Sequence, residues 1–205
     1  MFFLNVNGGR KMDTKKRPII IDTDPGIDDA VALAIALNHP NLEVRLITTV
    51  AGNVDVEKTT NNALKLVDFF GKKVPVAKGC NCPLLIQLED SAEIHGETGM
   101  DGFEFPQPIS TCLDIHAVEA MRKEILSSDV PLTIVPIAAL TNIALLLTLY
   151  PEVKENIAEI VMMGGSLARG NTNTSAEFNT YVDPHAAQIV FQSGVPLTID
   201  RKSVV

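Results

Sequence analysis

The chain has no tryptophan, only two tyrosines, and three cysteines in 205 residues. Three cysteines without paired spacing exclude a disulfide framework, and with it the small secreted scaffolds that depend on one. Cys80, Cys82 and Cys112 therefore read as loop or core thiols of a reduced, cytoplasmic protein. Cys80-Asn81-Cys82 lacks the second pair or histidine cluster that would complete a zinc set. Basic residues are also scarce: 17 Lys and Arg stand against 25 Asp and Glu, a net charge of -8. No basic stripe is present to displace counterions from a phosphate backbone, so a nucleic-acid partner is excluded. The cluster Arg10, Lys11, Lys15, Lys16 and Arg17 is confined to the amino end and reads as a solvated lead-in. No apolar run reaches membrane-spanning length without a charge. Met1-Phe2-Phe3-Leu4 is interrupted too soon by Asn5, Asn7 and Gly8 to be a signal-peptide core, so no membrane partner is expected.

What remains is the composition of a soluble globular enzyme, 46% hydrophobic and 20% charged, long enough for one well-buried domain. Apolar β-rich runs alternate with helical periodicity, the signature of an α/β fold with an open, mostly parallel sheet flanked by helices. Strands are expected over Pro18–Ile21, Glu43–Val50, Val74–Ala77, Leu132–Val135 and Ile157–Met163. Helices are expected over Asp28–Leu37, Asp55–Phe70, Leu113–Leu126, Asn142–Leu149 and Pro184–Ser193, the last closed by Gly194. Residues 79–111 are broken by Pro83, Gly96, Gly99, Gly102, Pro106 and Pro108, and a loop this long is usually functional. Residues 1–17 read as a flexible lead-in; Met12 is a second possible start, which would leave residues 1–11 outside the fold.

The densest chemistry lies in Asp22-Thr23-Asp24-Pro25-Gly26-Ile27-Asp28-Asp29, four carboxylates in eight residues between a strand and a helix. Asp28 and Asp29 open a helix, where free amides and the macrodipole favour acids, so capping accounts for one or two of them. It does not account for Asp22 and Asp24, whose mutual repulsion at a strand end is costly unless a cation or buried donors offset it. The pattern points to a divalent-cation site with catalytic potential at the carboxyl edge of the sheet.

Four further segments fall where strands should end. Asn53, after Val50-Ala51-Gly52, either holds a polar ligand or caps the next helix. His95, in His95-Gly96-Glu97-Thr98-Gly99, either approaches a ligand between glycines or is an exposed loop histidine. Thr141 caps a helix or turns its carbonyl toward a cation. Asn171, Glu177 and Asn179 gather three amide and carboxylate groups within nine positions of a Gly-rich loop, suited to the vicinal hydroxyls of a sugar.

Taken together, DTDPGIDDA at 22–30, AGN at 51–53, HGETG at 95–99, LTNIA at 140–144, IVMMGG at 160–165, and GN at 170–171 followed by AEFNTYVDPHAA at 176–187 resemble the inosine-uridine nucleoside hydrolase family of ribonucleoside N-glycosidases. The resemblance runs in the family's order from about Pro18 to Pro196. It implies a Rossmann-like core and Ca²⁺-dependent hydrolysis of a ribonucleoside to free base and ribose, in a protein that is a homo-oligomer. By the same resemblance, Asp24 and Asp29 are carboxylate ligands of the calcium, Thr141 the carbonyl ligand, and Asp24 also the general base. Asp28, Asn53, Asn171, Glu177 and Asn179 hold the ribose, His95 lies near the base, and Phe178 lines the sugar face. Family members run on for roughly another hundred residues and complete the site with a His-Asp pair. The ending Arg201-Lys202-Ser203-Val204-Val205 fits nothing in that pattern, so residues 18–205 are expected to be a partial domain, poorly soluble and with little or no activity. A non-catalytic calcium or nucleoside binder on the retained half-site is the alternative. A phosphotransferase using Asp22 as nucleophile would leave Asp28, Asp29 and the AEFN segment without a role.

Overall fold

The computed structural model describes residues 16–201. Most of the expected lead-in, and the end from Lys202, lie outside them. Along the chain come β1 (Arg17–Thr23), α1 (Ile27–Asn38), β2 (Leu42–Thr49), α2 (Val56–Phe69), β3 (Val76–Lys78), α3 (Ala92–His95), α4 (Ala117–Ser127), β4 (Leu132–Pro136), α5 (Thr141–Leu149), a 3₁₀ turn (Pro151–Asn156), β5 (Ile157–Met163), α6 (Phe178–Val182), α7 (Pro184–Phe191) and β6 (Leu197–Asp200). The six strands form one sheet in the order β3-β2-β1-β4-β5-β6, and every pair is parallel. This is the α/β architecture expected from the alternating pattern.

The period of two along β1 divides the core. Ile20 points into a cluster with Met121 and Ile125 of α4, Ile143 and Leu146 of α5, and Val190 of α7. Ile19 and Ile21 point the other way, onto Leu33 of α1 and Ala63, Leu66 and Val67 of α2. Both faces of β1 are therefore buried, which is why its sequence is a continuous apolar run instead of an alternating one. Burying one such side chain contributes about 1.5–3 kcal/mol.

Helix α2 begins where Asp55 accepts the Lys58 amide at 2.9 Å, a side-chain cap that fixes the start read from the sequence. Helix α4 begins four residues later than expected, because Leu113 donates its amide to Val76 O of β3 instead of entering a helix. His116, with its Nδ1 accepting from Val118 N, then makes the cap. Because β1 feeds β2 on one side and has β4 as its neighbour on the other, the strand order reverses between β1 and β4. Open α/β sheets bind ligands at the carboxyl ends of the strands flanking such a reversal.

Candidate active site

At the reversal, β1 ends in Asp22-Thr23-Asp24 and turns through Pro25-Gly26 into α1. Asp22, Asp24 and Asp29 are all buried, at 0%, 1% and 5% exposure. Asp29 reaches back to accept the Gly26 amide at 3.1 Å, so it does cap α1. It also accepts from Thr23 Oγ1 at 2.7 Å and Asn53 Nδ2 at 3.2 Å. Asp24 Oδ2 accepts the Asn53 backbone amide at 2.7 Å, and Asn53 Nδ2 also donates to the Asp24 carbonyl at 3.0 Å. Ser91 Oγ in turn donates to Asn53 Oδ1 at 2.9 Å, which fixes the orientation of that carboxamide. The approach is close enough to demand glycine: a Cβ on Gly52 would stand 2.0 Å from Asp24 Oδ2.

Every hydrogen bond in this cluster is made with neutral donors. The ion pairs among the described residues lie elsewhere, between groups such as Arg17 and Glu159 or Arg45 and Glu124. Burial raises the Asp24 carboxyl well above the ordinary carboxylate value, and the nearby charge of Asp29 adds to the rise. Burial, then the charge of Asp28, pushes Asp29 up to about 6. Burial alone drives Asp22 to about 7, against the hydrogen bonds from Thr48 and Asn142. Asp24 Oδ1 and Asp22 Oδ2 are buried without any hydrogen-bond partner. Unpaired buried carboxylate oxygens cost stability unless a proton or a cation meets them. The donor set is hard oxygen throughout, as Ca²⁺ or Mg²⁺ requires. It is not a complete cage, since no three His, Cys, Asp or Glu side chains among the described residues are grouped for a metal.

A cavity of about 450 Å³ opens beside this cluster, lined by Asp28, Asp29, Asn53, His95, Ile137, Met163, Asn171, Glu177, Phe178 and Asn179 among others. Asp24 lies one hydrogen bond behind that lining, against Asn53. His95 is anchored through Nδ1, which accepts the Ile27 amide at 3.3 Å. Also in the lining, Glu177 caps α6, accepting the amides of Asn179 at 3.0 Å and Thr180 at 3.3 Å. Its Oε2 also takes the Gly165 amide at 3.0 Å. Asn171 Oδ1 accepts from Phe178 N at 2.9 Å. Asn179 Nδ2 donates to Ile137 O at 3.0 Å and Met163 O at 3.2 Å. Nine of the ten residues picked out from the sequence thus meet at one place, eight lining the cavity and Asp24 directly behind it.

Thr141 is the exception. It opens α5, lines a different cavity with Cys80, His116 and Leu145, and donates its hydroxyl to Asp183 Oδ2 at 2.7 Å. As the first residue of a helix it directs its carbonyl along the helix axis, toward the amide four residues on. The carbonyl that does reach the first cavity from this region is that of Ile137, just past the end of β4. A backbone oxygen carries no side-chain signal, so only the position of the strand end could have indicated it. Ser91, which donates to Asn53 Oδ1, and Met163, whose carbonyl accepts from Asn179 Nδ2, line the same cavity without having been singled out as site candidates.

A sheet with this order, with a buried acid cluster beside a polar cavity at its switch point, defines an α/β protein whose candidate site lies where open sheets place theirs. The sequence model of the inosine-uridine preferring nucleoside hydrolase family matches residues 19–202, and the chain belongs to that family. It is 52% identical over 182 residues to the non-specific ribonucleoside hydrolase RihC of Klebsiella pneumoniae strain 342, a match covering 89% of this chain and 60% of that one. The purine-preferring ribonucleoside hydrolase of Gardnerella vaginalis superposes with a TM-score of 0.86 at 37% identity, over 90% of this chain and 60% of that one. A plant nucleoside hydrolase superposes at 0.83 and 34% identity, over 90% and 59%. The chain spans about 60% of the length of the curated relatives it matches.

Proposed function

We propose that this site serves the hydrolysis of the N-glycosidic bond of ribonucleosides, yielding free base and ribose, with Ca²⁺ as cofactor. The observation that carries the reading is the wholly buried, unpartnered Asp24 Oδ1 beside Asp29, behind a cavity that is also lined by Asn171, Glu177 and Asn179. Asp24, Asp29 and the Ile137 carbonyl are the oxygens that would hold the ion. A divalent cation there supplies Lewis-acid activation of water and a fixed point for hydroxyl ligands.

The chain's own groups do the rest. Asp24, raised toward neutrality by burial, is matched to taking a proton from the attacking water. Asn171, Glu177 and Asn179 bind ribose hydroxyls through the lone pairs and amide hydrogens their structural hydrogen bonds leave free. As the glycosidic bond lengthens, positive charge grows on the ribose ring, and the carboxylates of Asp28 and Glu177 stabilise it. Phe178 gives the sugar an apolar face, and His95, which lines the same cavity, lies near the base. Nucleoside salvage in the cytoplasm is the role that follows, supported by the free cysteines Cys80, Cys82 and Cys112. Association into a homo-oligomer is supported by the apolar stripe Ile27, Val31 and Ile35 on α1, exposed by 49%, 60% and 60%.

The test is calorimetry of the purified chain with inosine, uridine and their 2′-deoxy counterparts, with Ca²⁺ or with a chelator, alongside base release. Ribonucleosides are expected to bind only with Ca²⁺, at least about 100-fold more tightly than the deoxy forms, because a site built for a hydroxyl rejects its absence. Base release by this chain is expected to be slow. Binding indifferent to Ca²⁺ and to the 2′-hydroxyl would overturn the reading.

A further inference from the structure

The motif Leu140-Thr141-Asn142 has no part in the cavity, yet its two polar side chains are both buried, Thr141 at 2% and Asn142 at 0% exposure. Each is bound to a different buried carboxylate. Thr141 Oγ1 donates to Asp183 Oδ2. Asn142 Nδ2 donates to Asp22 Oδ1 at 2.8 Å and to the Thr49 carbonyl at 2.9 Å. The Asn142 carboxamide oxygen accepts the Cys80 amide at 3.0 Å. One side chain therefore joins the carboxyl ends of β1 and β2, the loop after β3 and the start of α5.

The space is closed to anything larger. A Cβ on Gly79 would lie 2.4 Å from Asn142 Oδ1 and 2.4 Å from the Thr49 carbonyl. Asp183 extends the connection: it accepts the Leu84 amide at 2.9 Å and caps α7 through the Ala186 amide at 3.0 Å. The loop held at Cys80 and Leu84 is the one that continues to Ser91, whose hydroxyl orients Asn53. Asp22, held by Asn142, stands two residues before Asp24, and its carbonyl accepts the Ile137 amide at 2.8 Å.

We propose that Thr141 and Asn142 are positioning residues, a clamp that fixes β1, β2 and the 79–91 loop so that Asn53 and Ile137 keep their places in the cavity lining and Asp24 its place directly behind it. The clamp touches neither substrate nor cation. It acts through Asp22 and Asp183, and it rests on the proposed cation site only for one of its two readouts.

Asn142→Asp places a carboxylate against Asp22 and the Thr49 carbonyl, both acceptors. Thr141→Val keeps the shape and removes one donor. Ile125→Ala, in the α4 core, is the control for stability loss alone. The first readout is hydrogen exchange of the Asn53 amide, which donates to Asp24 Oδ2 and needs no metal. The second is affinity for Ca²⁺, followed by competition with Tb³⁺ luminescence. For Asn142→Asp the clamp predicts at least a tenfold loss of Asn53 protection relative to the control and at least a tenfold weaker Ca²⁺ affinity. For Thr141→Val it predicts losses of roughly threefold in both. If Asn142→Asp does not fold, Thr141→Val decides. Asn53 protection and ion affinity that follow melting temperature alone, the same in variants and control, would overturn the clamp. If the wild-type chain binds no Ca²⁺, the cation reading falls, and Asn53 exchange still decides the clamp.

Discussion

The two walls of the cavity are built from similar residue types and held in opposite ways. On the wall of Asn171, Glu177 and Asn179, each side chain already satisfies backbone groups: Glu177 receives three amides and Asn179 serves two carbonyls. Nothing there waits for a ligand to be stable. On the wall of Asp29, with Asp24 directly behind it, the neutral donors run out before the acceptors do, and Asp24 Oδ1 has none. The first wall is a preformed grip, and the second is incomplete until a proton or a cation joins it. Preorganisation of the grip costs nothing at the moment of binding, whereas the acid wall couples its stability to what occupies it.

Removing the unsatisfied acid breaks the contrast most severely. Asp24→Asn is expected to abolish Ca²⁺ binding by calorimetry and to reduce whatever base release the wild type shows by about 10²–10⁴-fold. The same substitution is expected to raise the melting temperature of the ion-free protein, because it deletes a buried carboxylate that burial and Asp29 oppose. A lower melting temperature without ion would show that the two walls do not differ as described.

The next effect is on pH dependence. The folded values of Asp22 and Asp29 are raised to about 7 and about 6 from 3.8, so the folded state holds more protons than the unfolded chain between about pH 4 and 7. Their stabilising contribution is full below the unfolded value and is lost as pH rises through the folded one. Ion-free protein should therefore lose a few kcal/mol from this source between pH 4 and 7. Ca²⁺ should weaken or reverse that slope, since it takes the deprotonated carboxylates. Differential scanning fluorimetry across this range, with chelator and with Ca²⁺, checks both signs.

The smallest effect tests the self-satisfied wall. Glu177→Ala removes the cap of α6 and should cost about 1–2 kcal/mol in urea unfolding, with or without Ca²⁺. A cost that appears only when Ca²⁺ is present would mean that this wall, too, depends on its ligand.

The sequence made the strand-end acids legible because their type and spacing have one economical explanation, and Asp22, Asp24 and Asp29 are indeed buried together. The strands were legible, since apolar runs such as Ile19-Ile20-Ile21 announce strands buried on both faces, but their order in the sheet was not. Helix boundaries were legible where a side chain makes the cap, as Asp55 does. They were not where tertiary pairing takes the backbone first, as at Leu113. The short helices α3 and α6 have too few turns to show periodicity. That Thr141 lines a different cavity was not legible for a related reason: sequence shows a polar side chain at a strand-to-helix junction but not the direction in which its carbonyl points. The amide of Asn179 and the cavity find Ile137 instead, whose side chain advertises nothing.

The most direct test of the central claim is a crystal structure of this chain soaked with Ca²⁺ and a ribonucleoside. The account predicts one ion at about 2.3–2.6 Å from Asp24 Oδ1, Asp29 and the Ile137 carbonyl, with ribose hydroxyls against Asn171, Glu177 and Asn179. An ion bound elsewhere, or a ribose that leaves those three side chains untouched, would contradict it.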